Sequence, residues 1–234
     1  MMKIIFKIFC VLWTSAFLAQ GALNEINDRG GKVGQWIGYY STTNTKRYEG
    51  FFEDDVPVGE FIYYSEKGYV SAKVNFLNDS VSLSEMYYEN GFVMAKGKFI
   101  NKLKVGKWST YLQTGDLLNI YNYKLGKMDG PQFMYYPENK ETKKIPVMEE
   151  FYCVDGIKDG IWKQYYELGS VKAKGQYSKG LKQGRFEYYF LNGNIDKKGR
   201  FIDDKKHGLW YFYDIEQEIM KEHIYNMGDL KKSN

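Results

Sequence analysis

The sequence predicts an all-β chain: an elongated, single-layer, twisted antiparallel sheet of about eight stacked β-hairpin repeats of about 24 residues each. Three observations carry that expectation. Glycine opens a unit at Gly34, Gly59, Gly106, Gly130, Gly160, Gly184 and Gly208, and Ser82 holds the place once, at intervals of 25, 23, 24, 24, 30, 24 and 24. Tyrosine stands five residues behind each opener, at Tyr39, Tyr64, Tyr87, Tyr111, Tyr135, Tyr165, Tyr189 and Tyr213. Aromatics make up 18% of the chain against 4 prolines, which suits pleated surfaces and argues against disorder.

The elements follow in chain order. Residues 1–21 read as a signal peptide: Lys3 and Lys7 precede an apolar run from Ile8 to Leu18, and Ala19 and Gly21 fit a small-x-small cleavage pattern. The run is shorter than the ~20 residues a spanning helix needs. Phe9 precedes Cys10 where lipid attachment wants a small residue. Removing Lys3 and Lys7 lowers the formal charge from +4 to +2, too mild to indicate nucleic acid. Only Cys153 then remains, so no internal disulfide is expected. Residues 22–33 are an N-terminal cap, 34–228 the array and 229–234 a polar tail; cap and tail shield the end strands against further pairing.

Within the array, the sixth unit shows the design. Ile161–Tyr166 reads as one strand, Glu167–Ser170 as a turn with Gly169 at positive φ, and Val171–Tyr177 as the return. "SKGLKQG" then turns back, with Gly180 and Gly184 as punctuation. This pairing sets Trp162 opposite Gly175 and Phe186 opposite Gly199, with the ring lying over the glycine. Strict alternation puts Trp162, Ala173 and Tyr177 on one face, and Tyr165 on the other beside Lys163 and Lys172. An aromatic returns later in each unit: Phe52, Phe76, Phe99, Tyr123, Tyr152, Tyr177, Phe201 and Tyr225. The 30-residue unit carries an insertion within Pro137–Glu150. One hairpin is not stable alone; stacking buries what a single unit cannot.

The units "GIWKQYYELGSVKAKGQYSKGLKQG" and "GKWSTYLQTG" resemble the MORN repeat, in particular its bacterial variant, over about Gly34 to Gly228. Val74, Ser82, Ser84 and Gln132 depart from its glycine and aromatic positions. The resemblance implies stacked hairpins, and scaffold or protein-contact roles, with contact to acidic phospholipids in some members. It also implies an antitoxin-like label, which the export signal turns toward an immunity partner of an exported toxin.

No residue constellation points to catalysis. His207 is expected in a connecting turn, where other units carry Gln183, Asp159 or Asp129, and His223 in the place of Gly175 and Gly199. Cys153 has no base placed for it. Asp54-Asp55, Glu149-Glu150 and Asp203-Asp204 are paired carboxylates without the converging oxygen ligands that calcium needs. The chain is therefore read as a non-enzymatic exported scaffold without cofactor or metal, periplasmic, cell-surface or secreted, binding a protein partner and no nucleic acid. The candidate protein-binding residues are Tyr111, Tyr135, Tyr165, Tyr189 and Tyr213, since tyrosine offers stiff area with a polar tip. The competing reading makes the same tyrosines inter-repeat core. The alternative partner is an anionic membrane surface met by turn lysines Lys179, Lys182, Lys205 and Lys206, whose competing role is to guard strand edges.

Overall fold

The computed structural model describes residues 22–233. The leader expected over 1–21, with Cys10, lies outside them. The described residues contain nineteen strands and no helix. These are β1 (Glu25–Ile26), β2 (Lys32–Tyr39), β3 (Lys46–Glu53), β4 (Val56–Tyr64), β5 (Val70–Phe76), β6 (Val81–Tyr87), β7 (Val93–Ile100), β8 (Leu103–Tyr111), β9 (Leu117–Lys124) and β10 (Lys127–Met128). There follow β11 (Gly130–Tyr135), β12 (Val147–Val154), β13 (Ile157–Tyr165), β14 (Val171–Ser178), β15 (Leu181–Tyr189), β16 (Ile195–Ile202), β17 (Lys205–Tyr213), β18 (Ile219–Asn226) and β19 (Asp229–Ser233). Consecutive strands pair antiparallel, except that β10 and β11 both pair with β9, so the chain builds one open twisted sheet of stacked hairpins.

Two kinds of turn alternate. Inside a hairpin the loop is longer, as where Tyr166 N–H donates to Ser170 O across Gly169, whose φ is 92°. Between hairpins only two residues turn the chain: Asp54-Asp55, Asn101-Lys102, Leu125-Gly126, Asp155-Gly156, Lys179-Gly180 and Asp203-Asp204, then Met227-Gly228 into β19. Both residues of each pair have positive φ. That is the type I′ conformation, whose twist matches the strands it joins. These turns are also strung together. Gly180 N–H donates to Lys158 O, Asp204 N–H to Lys182 O and Gly228 N–H to Lys206 O, so each turn hangs on the one before.

The unit-opening glycines are not turn residues, as the sequence suggested, but bulges inside strands. Gly184 lies within β15 at a φ of 75°. Around it the register slips by two residues, from Gln176↔Gln183 to Lys174↔Glu187. The same slip occurs at Gly59, Gly106, Gly160 and Gly208. Positive φ lets glycine absorb the extra residues. Where Ser82 replaces it, β5 and β6 pair without a slip, and the two residues sit in a longer turn, Leu77–Ser80.

The bulge throws a large ring backwards. The registers Trp162↔Gly175 and Phe186↔Gly199 are as expected. The ring that covers each glycine, however, comes from the following hairpin. A Cβ on Gly175 would lie 2.4 Å from Phe186, and one on Gly199 2.2 Å from Trp210. Gly50 meets Phe61 and Gly97 meets Trp108 in the same way. The indole N–H of Trp108 donates to Lys98 O and that of Trp210 to Arg200 O, both at 3.1 Å, satisfying carbonyls beside the bulge.

The departures from the repeat are complementary. Val74 stands in the glycine place before Ser84, and Tyr121 before Gln132. Gln132 is fully buried; its amide accepts from Asn122 N–H at 2.8 Å and donates to Asn122 O and Gly130 O. At the sixth unit Phe151 replaces glycine, and the Trp162 indole N–H goes instead to Glu149 Oε1 at 2.8 Å.

Edge-to-face contacts join the rings into ladders. They run Trp36–Phe52–Phe61–Phe76, Phe99–Trp108, and Trp162–Tyr177–Phe186–Phe201–Trp210–Tyr225. Tyr152 is not a rung, contrary to the sequence pattern. The loop of residues 136–146 shifts the frame by one, so Gly130 pairs with Cys153, whose thiol is buried in the ladder position. Tyr152 is half exposed on the other face.

Both ends are dressed. Asn24 mimics a strand, its side-chain amide donating to Ile37 O and accepting from Ile37 N–H. The polar tail forms an exposed edge strand, β19, paired to β18.

Leu125 occupies a left-handed position, φ 48°, that asparagine adopts more readily. Leu125→Asn is expected to raise unfolding stability by about 0.5–1 kcal/mol, measured by urea denaturation.

Candidate interaction surface

With one face given to the ring ladder, alternation turns the next residues outward. A row crosses the sheet there from Glu49 through Ile62, Lys73, Glu85 and Lys96 to Ser109. It resumes as Glu150, Lys163, Lys174, Glu187, Lys198 and Tyr211. Two residues along each first strand lies the tyrosine file. Tyr111, Tyr135, Tyr165, Tyr189 and Tyr213 are thus on the face opposite the Trp/Phe ladder, each half-buried among its neighbours. Their rings lie outside the Trp/Phe ladder. One file member recurs every second strand, or about 9.5 Å.

Carboxylates hold the rings down. Tyr165 Oη donates to Glu150 Oε1 at 2.7 Å and Tyr189 Oη to Glu187 Oε2 at 2.5 Å. Tyr87 donates likewise to Glu85, and Tyr64 to Glu49. The same carboxylates take lysines, with Lys163–Glu150 and Lys174–Glu187 both at 2.8 Å. Lys96, Lys174 and Lys198 also stand over the rings of Tyr111, Tyr189 and Tyr213. No side-chain acid holds Tyr135; burial alone raises its phenol above the ordinary range.

Burial opposes ionisation of Glu150 and Glu187, but hydrogen bonds from lysine and tyrosine outweigh it and hold both below the usual carboxylate range. At Glu49 the hydrogen bond from Lys46 leads in the same direction. The stability these carboxylates contribute is present above their unfolded range and is lost as pH falls through the lowered one. The phenols move the other way. Burial first, then the facing carboxylate, raises Tyr64, Tyr165 and Tyr189.

The neighbouring tyrosine binds repeats together. Tyr40, Tyr88, Tyr136 and Tyr166 donate their hydroxyls to the carbonyls of Tyr64, Tyr111, Tyr165 and Tyr189 in the next unit, at 2.7–2.9 Å. The file's backbone is therefore fixed hairpin by hairpin. Of the glutamates of this surface, only Glu150 was singled out from sequence, and then as one of a carboxylate pair rather than as a tyrosine partner. The available signal was the E-x-Y spacing of Glu85/Tyr87 and Glu187/Tyr189, which puts acid and phenol on one side of a strand.

The turn-lysine surface is split. Lys182 and Lys206 belong to strands, not turns, and reach over the ring ladder: Lys182 Nζ lies 5.1 Å from the Phe201 ring centre and Lys206 Nζ 4.6 Å from that of Trp210. They cover rings, which keeps a single layer packed. Lys179 and Lys205 alone of the four stand exposed at the turn edge. His207 is likewise a strand residue of β17, its Nδ1 facing Met227 N–H of the next turn. His223 does pair with Trp210 in the glycine place, and packs on Phe212. Glu149 and Glu150 point to opposite faces, Asp54 meets Arg29, and Asp204 accepts from Lys182 N–H. Burial raises the Cys153 thiol. Among the described residues no three His, Cys, Asp or Glu side chains converge as a metal site.

No family model matches the chain, and no curated protein matches it. Among solved structures, a porin-like protein from Bacteroides uniformis ATCC 8492 is similar over 85% of this chain and 92% of that one, at 8% identity and a TM-score of 0.18. A superposition at that score carries no argument about this chain's fold or function.

Tyr87 is the most displaced phenol, pushed up to about 12 by burial and then by Glu85. Its contribution to stability is intact below the ordinary tyrosine pKa of about 10 and is lost as pH rises from there through the raised value. Glu85→Gln is expected to bring the Tyr87 pKa down toward the ordinary value, followed by NMR of ring-labelled tyrosine. An unchanged pKa would assign the whole displacement to burial.

Proposed function

We propose that the chain is an exported, non-enzymatic repeat scaffold, of the kind its MORN-like units imply, that presents its outer sheet face to a protein partner. The observation that carries this reading is the division of labour between faces. Folding uses the Trp/Phe ladder and the turn-to-turn hydrogen bonds. The tyrosine file stands apart from both, at a fixed spacing, with rings half-buried and the hydroxyls of Tyr165 and Tyr189 held by carboxylates. A stiff aromatic row already ordered in the free protein loses little entropy on binding. An immunity role toward an exported toxin is one form of this function, since it too consists of covering a protein partner.

The membrane reading has less to stand on. Two of its four lysines, Lys182 and Lys206, are engaged over core rings, and acidic turn residues such as Asp203 and Asp204 alternate with the rest.

The test is capture from an envelope extract of the source cell, in moderate salt, by the protein and by a Tyr165→Ser/Tyr189→Ser variant. The variant is expected to keep its β-sheet circular dichroism, because neither ring belongs to the ladder, and to lose at least tenfold of the captured partner. Undiminished capture by a folded variant would contradict the role of the file. A variant that fails to fold would return these tyrosines to the core.

A further inference from the structure

Two lysines of the outer row, Lys163 and Lys174, close on glutamates, but a group farther along the same face does not. Between β5 and β8 the outer face sinks into a depression of about 490 Å³. Lys73 faces Glu85, and Glu85 faces Lys96, along one row; Asn75, Leu83 and Lys98 form the next. Lys107, carried outward by the bulge of β8, and Glu60, in β4, complete the rim. Four lysines against two glutamates leave a local excess of two positive charges.

Two features separate this place from the paired positions: its unpaired lysines and its apolar floor. None of the ion pairs among the described residues uses Lys73, Lys96, Lys98 or Lys107, whereas Lys46, Lys163 and Lys174 at comparable positions close on glutamates at 2.8 Å. Glu85 accepts from the Tyr87 hydroxyl at 2.7 Å, as Glu150 and Glu187 accept from theirs, but unlike them it closes on no lysine among the described residues. The floor is apolar: Leu83, 45% exposed, lies among the lysines, beside Gly97 with no side chain. The site arises from the irregular third unit. Its direct β5–β6 pairing, without a bulge, brings Leu83 into line with Asn75 and Lys98, beside the Lys73–Glu85–Lys96 row.

We infer that this depression binds an acidic segment of a protein partner, with an apolar side chain on Leu83 and flanking carboxylates on the four lysines. The inference rests on the scaffold reading and names the chemistry of its partner. Charge complementarity asks for an anion, and the floor asks that the anion carry an apolar group beside it. A bilayer, a nucleic acid or an acidic polysaccharide would present negative charge along the whole outer face. There it would meet Glu49, Glu150, Glu187 and Glu222, which continue the same row away from the depression and outnumber the row's lysines there, Lys163, Lys174 and Lys198. A short acidic segment meets the lysines without that repulsion. The tyrosine file, Tyr111 first, begins beside the site, so one partner can span both.

The probe is a fluorescein-labelled synthetic peptide alternating glutamate and leucine, titrated by fluorescence anisotropy against the full chain. Parallel arms use polyglutamate, phosphatidylserine vesicles and single-stranded DNA. The expected result is salt-sensitive binding of the Glu/Leu peptide, tighter than of any other arm, that weakens at least tenfold in Lys96→Glu/Lys98→Glu and is unchanged in Lys179→Glu/Lys205→Glu. Both pairs are exposed lysines outside the ladder, so both variants should fold. Equal binding by the Lys96/Lys98 variant, or tighter binding of vesicles or DNA, would overturn the inference. The scaffold reading fails separately. If the Lys96/Lys98 variant still captures the partner that the Tyr165/Tyr189 variant loses, the acidic-segment inference is wrong and the scaffold stands. If neither variant loses the captured partner, the outer-face scaffold falls with it.

Discussion

A side chain on Gly97 would run into the indole of Trp108, and one on Gly199 into that of Trp210. At neither glycine is φ positive, so contact alone excludes the side chain. This interlock between one hairpin's return strand and the next hairpin's bulged strand is what the rest of the sheet depends on. A single layer has no second sheet to pack against. Here the core is made along the sheet rather than across layers: each bulge leans a ring onto the previous hairpin, lysine stems lie over the exposed edges of the rings, and indole N–H groups take up carbonyls the bulge leaves unpaired. Each hairpin thus depends on its successor, as expected of a one-dimensional repeat array.

The repeat, its hairpins and their register were legible in the sequence, because glycines and aromatics at a fixed interval mark where strands turn and where rings stack. The direction of the ring was not. Pairing Trp162 with Gly175 was correct, but a two-residue bulge at Gly184 is needed to see that Phe186 is the ring lying there. Alternation alone cannot report a bulge, and that is why the opening glycines read as turn residues and Lys182 and Lys206 as turn lysines. Tyr152 was misplaced for a related reason: the insertion changed the frame by one residue, and only Cys153 fits opposite Gly130. The candidate surface was half legible. Alternation put Tyr165 beside Lys163 on the outer face, but cross-strand partners such as Glu150 depend on register and stay hidden until strands are paired.

The irregular units are informative for the same reason. Where glycine gives way to Val74 or Tyr121, the following ring is reduced as well, to Ser84 and to Gln132, whereas behind Phe151 the ring stays as Trp162 and its indole turns to Glu149. Gln132 then supplies both hydrogen bonds that Asn122 needs, more than an indole could. In the third unit the same exchange removes the bulge and sets Leu83 in line with Asn75 and Lys98, among unpaired lysines. Folding constraints on one face thereby shape what the other face can bind, with no change of architecture.

The coupling between glycine and ring is tested most directly by a double-mutant cycle on Gly97→Val and Trp108→Ser, with unfolding free energies from urea denaturation. Each single change is expected to cost about 3 kcal/mol or more, one by collision and the other by loss of a buried ring. The double variant recreates the pair found naturally at Val74 and Ser84, and should cost less than the sum of the singles by about 2 kcal/mol or more. Additive losses would mean that the ring and the glycine stabilise the sheet independently, and the interlock would not be what holds the repeats together.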